Sequence, residues 1–118
     1  MNKEKIQFGF QGKKIKLSVK RVSEIGKGIG LMFSSRKKAK ALLFEFRNPE
    51  KTSIHSLFVF FPFIALWLDD KNNVVDFKKV NPFSLHLSSR KPYCRLIEIP
   101  INQDYRKIVE ILVGGKDL

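Results

Sequence analysis

A stretch of twelve residues without a charged or polar side chain, from Leu57 to Leu68, constrains the fold of this 118-residue chain more than any other feature. A helix that spans a membrane needs about 20 mostly apolar residues. Here Pro62 lies in the middle of the stretch, and Asp69 and Asp70 close it. Proline inside a helix removes a hydrogen-bond donor and clashes with the preceding turn. We therefore predict no transmembrane segment.

The same stretch favours two buried strands. Phe, Val and Ile are common in strands, and a strand with one exposed face would alternate apolar and polar residues. The pattern predicts strands at 54–60 and 63–68, with Pro62 at a bend or bulge between them. Both faces of these strands must then be covered by other parts of the chain.

A second stretch, KKIKLSVKR at 13–21, alternates with period two. Ile15, Leu17 and Val19 point one way, and lysines 14, 16 and 20 point the other way. This alternation is typical of a half-buried strand with a solvent-facing row of lysines.

The remaining pattern predicts a mainly β, single-domain fold over residues 1–118. Further strands are expected at 4–10, 42–46, 74–80 and 93–100, with turns at 47–51 and 69–73 and short helices at 23–29 and, capped by Asn102, at 103–112. Many short strands with few helices indicate a compact antiparallel sandwich or barrel-like domain of jelly-roll-like kind.

Positive charge is concentrated in the first half of the chain. Residues 1–51 hold 14 Lys and Arg against 4 Asp and Glu, whereas residues 52–118 hold 9 against 7. Such an excess attracts polyanions, nucleic acid before anionic lipid. The alternative is that the lysines reflect compositional bias or keep a small protein soluble.

If the charge is functional, the candidate is a surface rather than a pocket, because basic faces bind phosphates with little sequence preference. The candidate anion-binding face comprises Lys13, Lys14, Lys16, Lys20, Arg21, Arg36, Lys37, Lys38 and Lys40. Tyr93 and Tyr105 have basic neighbours and are the candidate surface aromatics. Trp67, inside the apolar stretch, is expected in the core.

Other candidate sites are weaker. The sequence GKGIG at 26–30 fits no phosphate-loop motif and is expected to reverse the chain. His55, His86 and Cys94 lack metal-ligand spacing, so we expect no metal or cofactor; a Cys–His nucleophile pair stays open as the enzyme alternative. Asp69 and Asp70 are expected to form a turn. No secretory signal is visible, which favours a cytoplasmic location.

Several stretches, taken in order, carry a family resemblance. They are GLMF at 30–33, ALLFEF at 41–46, SIHSLFVFFPFIALWLDDKNNVV at 53–75, Val80 with Pro82, YCRLIEIP at 93–100 and VGGKDL at 113–118. Over roughly residues 12–118 the chain resembles the domain of unknown function 192 family, small uncharacterised proteins of bacteria and archaea. The resemblance implies a compact, mostly antiparallel β fold and no established activity.

One departure from the family pattern concerns a polar position. The resemblance implies an aspartate two places after the proline, and this chain has Ile64 there. The residues before the proline also differ, except His55, which resembles an archaeal-type variant. If the family has a polar site built on that aspartate, we expect it to be lost or moved in this chain.

The sequence favours a non-enzymatic module that binds polyanions through a basic face. The alternative is a domain that binds a small molecule or a partner protein in a pocket near His55 and Pro62.

Overall fold

Six strands form one sheet in the computed structural model, which describes residues 3–21, 36–50, 61–81, 89 and 91–114. The strands are β1 (Lys3–Phe10), β2 (Lys13–Arg21), β3 (Leu42–Glu50), β4 (Phe63–Leu68), β5 (Val74–Val80) and β6 (Tyr93–Pro100). A 3-10 turn at Gln103–Tyr105 leads into helix α1 (Arg106–Leu112). The strand order is β1-β2-β3-β6-β4-β5.

The sheet curls into a half-barrel in which the first and last strands approach each other. Gly9 of β1 forms a bridge with Asn73, beside β5, and the Gly9 N–H donates to the Asn72 carbonyl at 2.9 Å. All named strand pairs are antiparallel except β2 and β3, which run parallel over two residue pairs. The expected mainly β, barrel-like fold with predominantly antiparallel pairing is thus confirmed.

The inner face of the curled sheet is the main apolar core. Strands β1, β2, β4 and β6 contribute alternate residues to it, and Val109 and Leu112 of α1 pack on the same cluster. Burying apolar side chains contributes roughly 1.5–3 kcal/mol each. Burial of this cluster inside the curled sheet is therefore the principal source of stability.

The outer face is also apolar where it crosses β3, β4 and β6. Leu42, Phe63, Trp67 and Leu96 belong to a second cluster on this side. All six residues of β4 are buried, as the unbroken apolar stretch predicted. The other predicted strand of that stretch, 54–60, lies outside the described residues.

Strand bounds at β2, β4, β5 and β6 match the sequence prediction. The turn predicted at 47–51 is wrong, because β3 continues to Glu50. Pairing is irregular there: Glu45 lies opposite Arg95 and Glu50 opposite Tyr93, so only Cys94 separates partners that are five positions apart on β3. Pro49 sits within this bulge, where its missing N–H costs no regular ladder bond.

One turn and one helix start follow local sequence chemistry. Gln11 and Gly12, between β1 and β2, both have positive φ, as two-residue hairpin turns require. The Asn102 side chain accepts a hydrogen bond from the Asp104 N–H at 3.1 Å, which confirms the expected cap.

The helix predicted at 23–29 lies outside the described residues. Among those described, no helix has the length and apolar character needed to cross a membrane.

Candidate functional site

The outer face of the β1–β2 hairpin is exposed and basic. Register places Lys5 opposite Ser18 and Gln7 opposite Lys16, while Ile6 and Leu17 face inward as a buried pair. The side chains described on this outer face are Lys5, Gln7, Lys14, Lys16, Ser18 and Lys20. None of these is acidic, and the four lysines form no ion pair within the described part of the chain. We call Lys5, Lys14, Lys16 and Lys20 the lysine face.

Lys5 is a residue that the sequence interpretation missed. The signal was present, because Ile6, Phe8 and Phe10 alternate with Lys5, Gln7 and Gly9. That alternation, placed beside the alternation in β2, aligns Lys5 with the lysine row of the neighbouring strand. Two strands about 4.8 Å apart therefore present one continuous positive surface.

The segment 36–41 extends this surface toward the helix. The Lys20 N–H donates to the Ala41 carbonyl at 2.9 Å, and the Ala41 N–H donates to the Tyr105 hydroxyl at 2.8 Å. A shallow cleft of about 180 Å³ lies between Ser18, Lys20, Lys40 and Tyr105. Lys40 is thus beside Lys20, although its Nζ also pairs with Asp104 at 3.3 Å.

Hydrogen bonds fix the turn at 36–38. The Arg36 Nε donates to the Ile101 carbonyl at 2.7 Å, and the Asn102 amide donates to the carbonyls of Arg36 and Ala39 at 2.8 and 3.1 Å. Lys37 and Lys38 are exposed on this turn. These contacts hold the basic turn against the end of β6, next to the lysine face.

Arg21 lies on the other side of the sheet. It shares the inward parity of Ile15, Leu17 and Val19, and its guanidinium pairs with Glu4 at 2.7 Å and also with Glu45. Glu45 pairs in turn with Arg95 at 3.1 Å. Arg21 therefore belongs to a chain of alternating charges and is separated from Lys14, Lys16 and Lys20 by the sheet.

Lys13 also departs from the lysine face. It pairs with Phe10 at the end of the hairpin and lines a cleft between the β1–β2 turn and the β4–β5 turn. Lys14 lines the same cleft. The nine basic residues grouped by sequence are therefore distributed among the lysine face, the 36–40 turn, the cleft between the two turns and, for Arg21, the inner side.

The expected surface role of Tyr93 is wrong. Tyr93 is fully buried, and its ring packs edge-to-face on Trp67 with centroids 6.2 Å apart. Position 93 shares the outer cluster with Trp67 and Leu96, so the basic residues around it in sequence do not expose it. Tyr105 is half-buried and uses its hydroxyl to hold Ala41. Trp67 lies in the core, as expected.

Asp69 forms the turn that the sequence predicted. Its carboxylate accepts hydrogen bonds from the N–H groups of Lys71 and Asn73, both at 2.9 Å. Asp70 is exposed in the same turn. A carboxylate committed to two turn amides serves chain reversal, which is the common role of aspartate at this position.

The other candidate sites are only partly described. His55, His86 and the GKGIG loop lie outside the described residues, Pro62 is half-buried, and Cys94 is half-buried with a free thiol. Within the ranges that the structure covers, no three His, Cys, Asp or Glu side chains are grouped to hold a metal ion.

The described residues form a small β half-barrel whose β1–β2 hairpin has a basic outer face. The family model of domain of unknown function 192, described as "Uncharacterized ACR", matches residues 6–114, and the chain belongs to this family. No match was found among the curated proteins.

Two solved structures share the fold. A protein from Sinorhizobium meliloti 1021, named a "putative transcription regulator", superposes with a TM-score of 0.73 at 19% identity, over 92% of this chain and 87% of that one. A protein of unknown function from Novosphingobium aromaticivorans DSM 12444 superposes with a TM-score of 0.69 at 12% identity, over 91% and 79%. At these identities the similarities establish the fold alone.

Proposed function

We propose that this chain is a binding module for polyanions, with nucleic acid as the principal ligand, and that the lysine face contacts the phosphates. The observation that carries the proposal is the outer face of the β1–β2 hairpin, where Lys5, Lys14 and Lys16 are exposed and Lys20 is half-buried, without an acidic side chain among the described residues. Lysines that merely add solubility are expected to be interspersed with acidic residues.

The dimensions of the lysine face suit a phosphate backbone. Lys14 and Lys20 are six residues apart on β2, which corresponds to about 20 Å along a strand. Each strand of duplex DNA advances about 3.4 Å along the axis per phosphate, so this length spans about six phosphates of each strand, of which those on the facing side are within reach of the lysines. The interaction carries no base specificity, because strand lysines that contact phosphates position a ligand without reading its sequence.

The 36–40 turn lengthens the same surface. Lys40 lies beside Lys20, and Lys37 and Lys38 are exposed one turn further. Because this turn is fixed by hydrogen bonds from Arg36 and Asn102, its lysines add charge without a cost for ordering the backbone at each binding event.

Fluorescence anisotropy with a labelled 20-mer tests the proposal, using single-stranded and duplex DNA at low salt. The double variant K16Q/K20Q removes two charges from the lysine face. The matched control K91Q/K107Q removes the same charge from exposed lysines elsewhere. We expect the first variant to weaken binding at least about tenfold and the second less than about threefold. Equal losses would show that net charge alone drives binding, and no binding by the unmodified protein would overturn the proposal.

A further inference from the structure

A cleft of about 460 Å³ lies where the two ends of the curled sheet meet, and we call it the hairpin cleft. Its walls are the β1–β2 turn, with Lys13 and Lys14, and the β4–β5 turn, with Lys71, Asn72 and Asn73. Small-molecule sites have volumes of about 300–1,000 Å³, so the hairpin cleft is large enough for a ligand of that class.

The lining of the hairpin cleft is positive. Lys13, Lys14 and Lys71 line the cleft, and no lining residue is acidic. The carboxylate of Asp69, in the β4–β5 turn, accepts hydrogen bonds from two amides of its own turn. Asp70 is exposed and does not line the cleft. The remaining polar groups are side-chain amides and backbone.

The two walls are held together by direct contacts. The Asn72 amide donates to the Gln7 carbonyl at 3.4 Å, and its Oδ1 accepts from Arg95 Nη1 at 2.9 Å. The approach at Gly9 is so close that a Cβ there would lie 2.6 Å from Asn73 Oδ1. The cleft is consequently a fixed feature of barrel closure, and the backbone that carries its three lysines needs no rearrangement to form it.

We propose that the hairpin cleft binds the diphosphate group of a small nucleotide. Three lysines match the charge of a diphosphate, and charge-assisted hydrogen bonds from ammonium groups to phosphate oxygens are among the stronger polar contacts in proteins. The volume beyond the phosphates accommodates the rest of the ligand. This inference goes beyond nucleic-acid binding on the lysine face, because Lys13 and Lys71 are not part of that face.

Isothermal titration calorimetry at low ionic strength tests the hairpin cleft with pyrophosphate, ADP and adenosine. We expect pyrophosphate and ADP to bind and adenosine not to bind. The double variant K13Q/K71Q is expected to weaken both interactions at least about tenfold, since each lost charge-assisted hydrogen bond is worth about that factor.

Two matched variants separate this site from the lysine face. K91Q/K107Q and K16Q/K20Q are each expected to leave pyrophosphate affinity within about threefold of the unmodified protein. The inference is overturned if pyrophosphate does not bind, if adenosine binds as well as ADP, or if K13Q/K71Q binds pyrophosphate as tightly as the controls. DNA binding in the anisotropy assay is scored separately, so failure of one proposal leaves the other standing.

Discussion

Replacing Ile64 by aspartate restores the polar residue that the family resemblance implies at this position, and we expect it to be severely destabilising here. Ile64 is fully buried on the inner face of β4, where it lies opposite Ile99 of β6 and Lys79 of β5. Its cluster includes apolar side chains from β1, β2, β3, β4, β6 and α1. A carboxyl group placed there would lose water, and pairing with Lys79 is expected to recover little of that loss, because Lys79 is exposed and exposed ion pairs contribute about 0–1 kcal/mol.

The expected cost follows from three contributions. Loss of the buried isoleucine side chain removes about 2 kcal/mol. Keeping a carboxyl group protonated at pH 7, when its unfolded pKa is about 3.9, costs about 4 kcal/mol. A neutral but unpaired polar group costs roughly 1–3 kcal/mol more. The total, about 7–9 kcal/mol, is comparable to the whole stability of a typical domain, about 5–15 kcal/mol.

The pH dependence has a definite sign. Burial raises the folded-state pKa of the new carboxyl group above its unfolded value, so the folded state binds more protons. The cost of keeping the carboxyl group protonated is absent below about pH 3.9 and grows as pH rises toward the folded-state pKa. Between pH 5 and pH 7 we expect I64D to lose about 2.7 kcal/mol relative to I64V, whose own cost is about 0.5–1.5 kcal/mol and independent of pH.

Urea denaturation followed by far-UV circular dichroism measures this difference at pH 5, 6 and 7. The comparison of I64D with I64V at each pH cancels the titration of the other acidic groups. A stability of I64D within about 1.5 kcal/mol of the unmodified protein at pH 7 would refute the reasoning. It would show that the inner face accommodates a charged group at this position.

Three further outcomes are expected. Y105F leaves the buried Ala41 N–H without its hydrogen-bond acceptor. The free energy of unfolding should therefore fall by about 1–3 kcal/mol, and the melting temperature measured by calorimetry by about 4–12 °C. An unchanged melting temperature would contradict the contact. Trp67, the single tryptophan, is fully buried, so iodide should barely quench its emission until the protein unfolds; quenching as strong as in urea would disprove its burial. R21Q should lower DNA affinity less than K16Q does in the anisotropy assay, because Arg21 pairs with Glu4 and Glu45 on the inner side. An equal loss of DNA affinity in the two variants would place Arg21 on the binding face.

Local periodicity predicted the strands well because the spacing of apolar residues along a strand depends on which of its two faces are covered. The alternation at 13–21 and the unbroken apolar residues of β4 correspond to one covered and two covered faces, respectively. The bulge in β3 was missed because turn residues such as Asn48 and Pro49 also occur where a strand departs from regular pairing.

The candidate surface was predicted only in part. Strict alternation separates Lys20 from Arg21, so the inward position of Arg21 was readable from the sequence but was not used. The contact between Tyr105 and Ala41 joins residues 64 positions apart, and the hairpin cleft joins turns about as distant. Such juxtapositions depend on how the sheet curls, which periodicity along one strand does not determine.

The salt dependence of DNA binding tests the central claim most directly. Affinity for a duplex 20-mer is measured by anisotropy from low to physiological salt, for the unmodified protein and for K16Q/K20Q. With the four lysines of the lysine face each neutralising one phosphate, log affinity should fall with log salt with a slope of about −3.6, steeper where the 36–40 turn adds contacts, and K16Q/K20Q should reduce the slope by about 1.8. A slope near zero, or a slope that K16Q/K20Q leaves unchanged, would contradict phosphate binding by the lysine face.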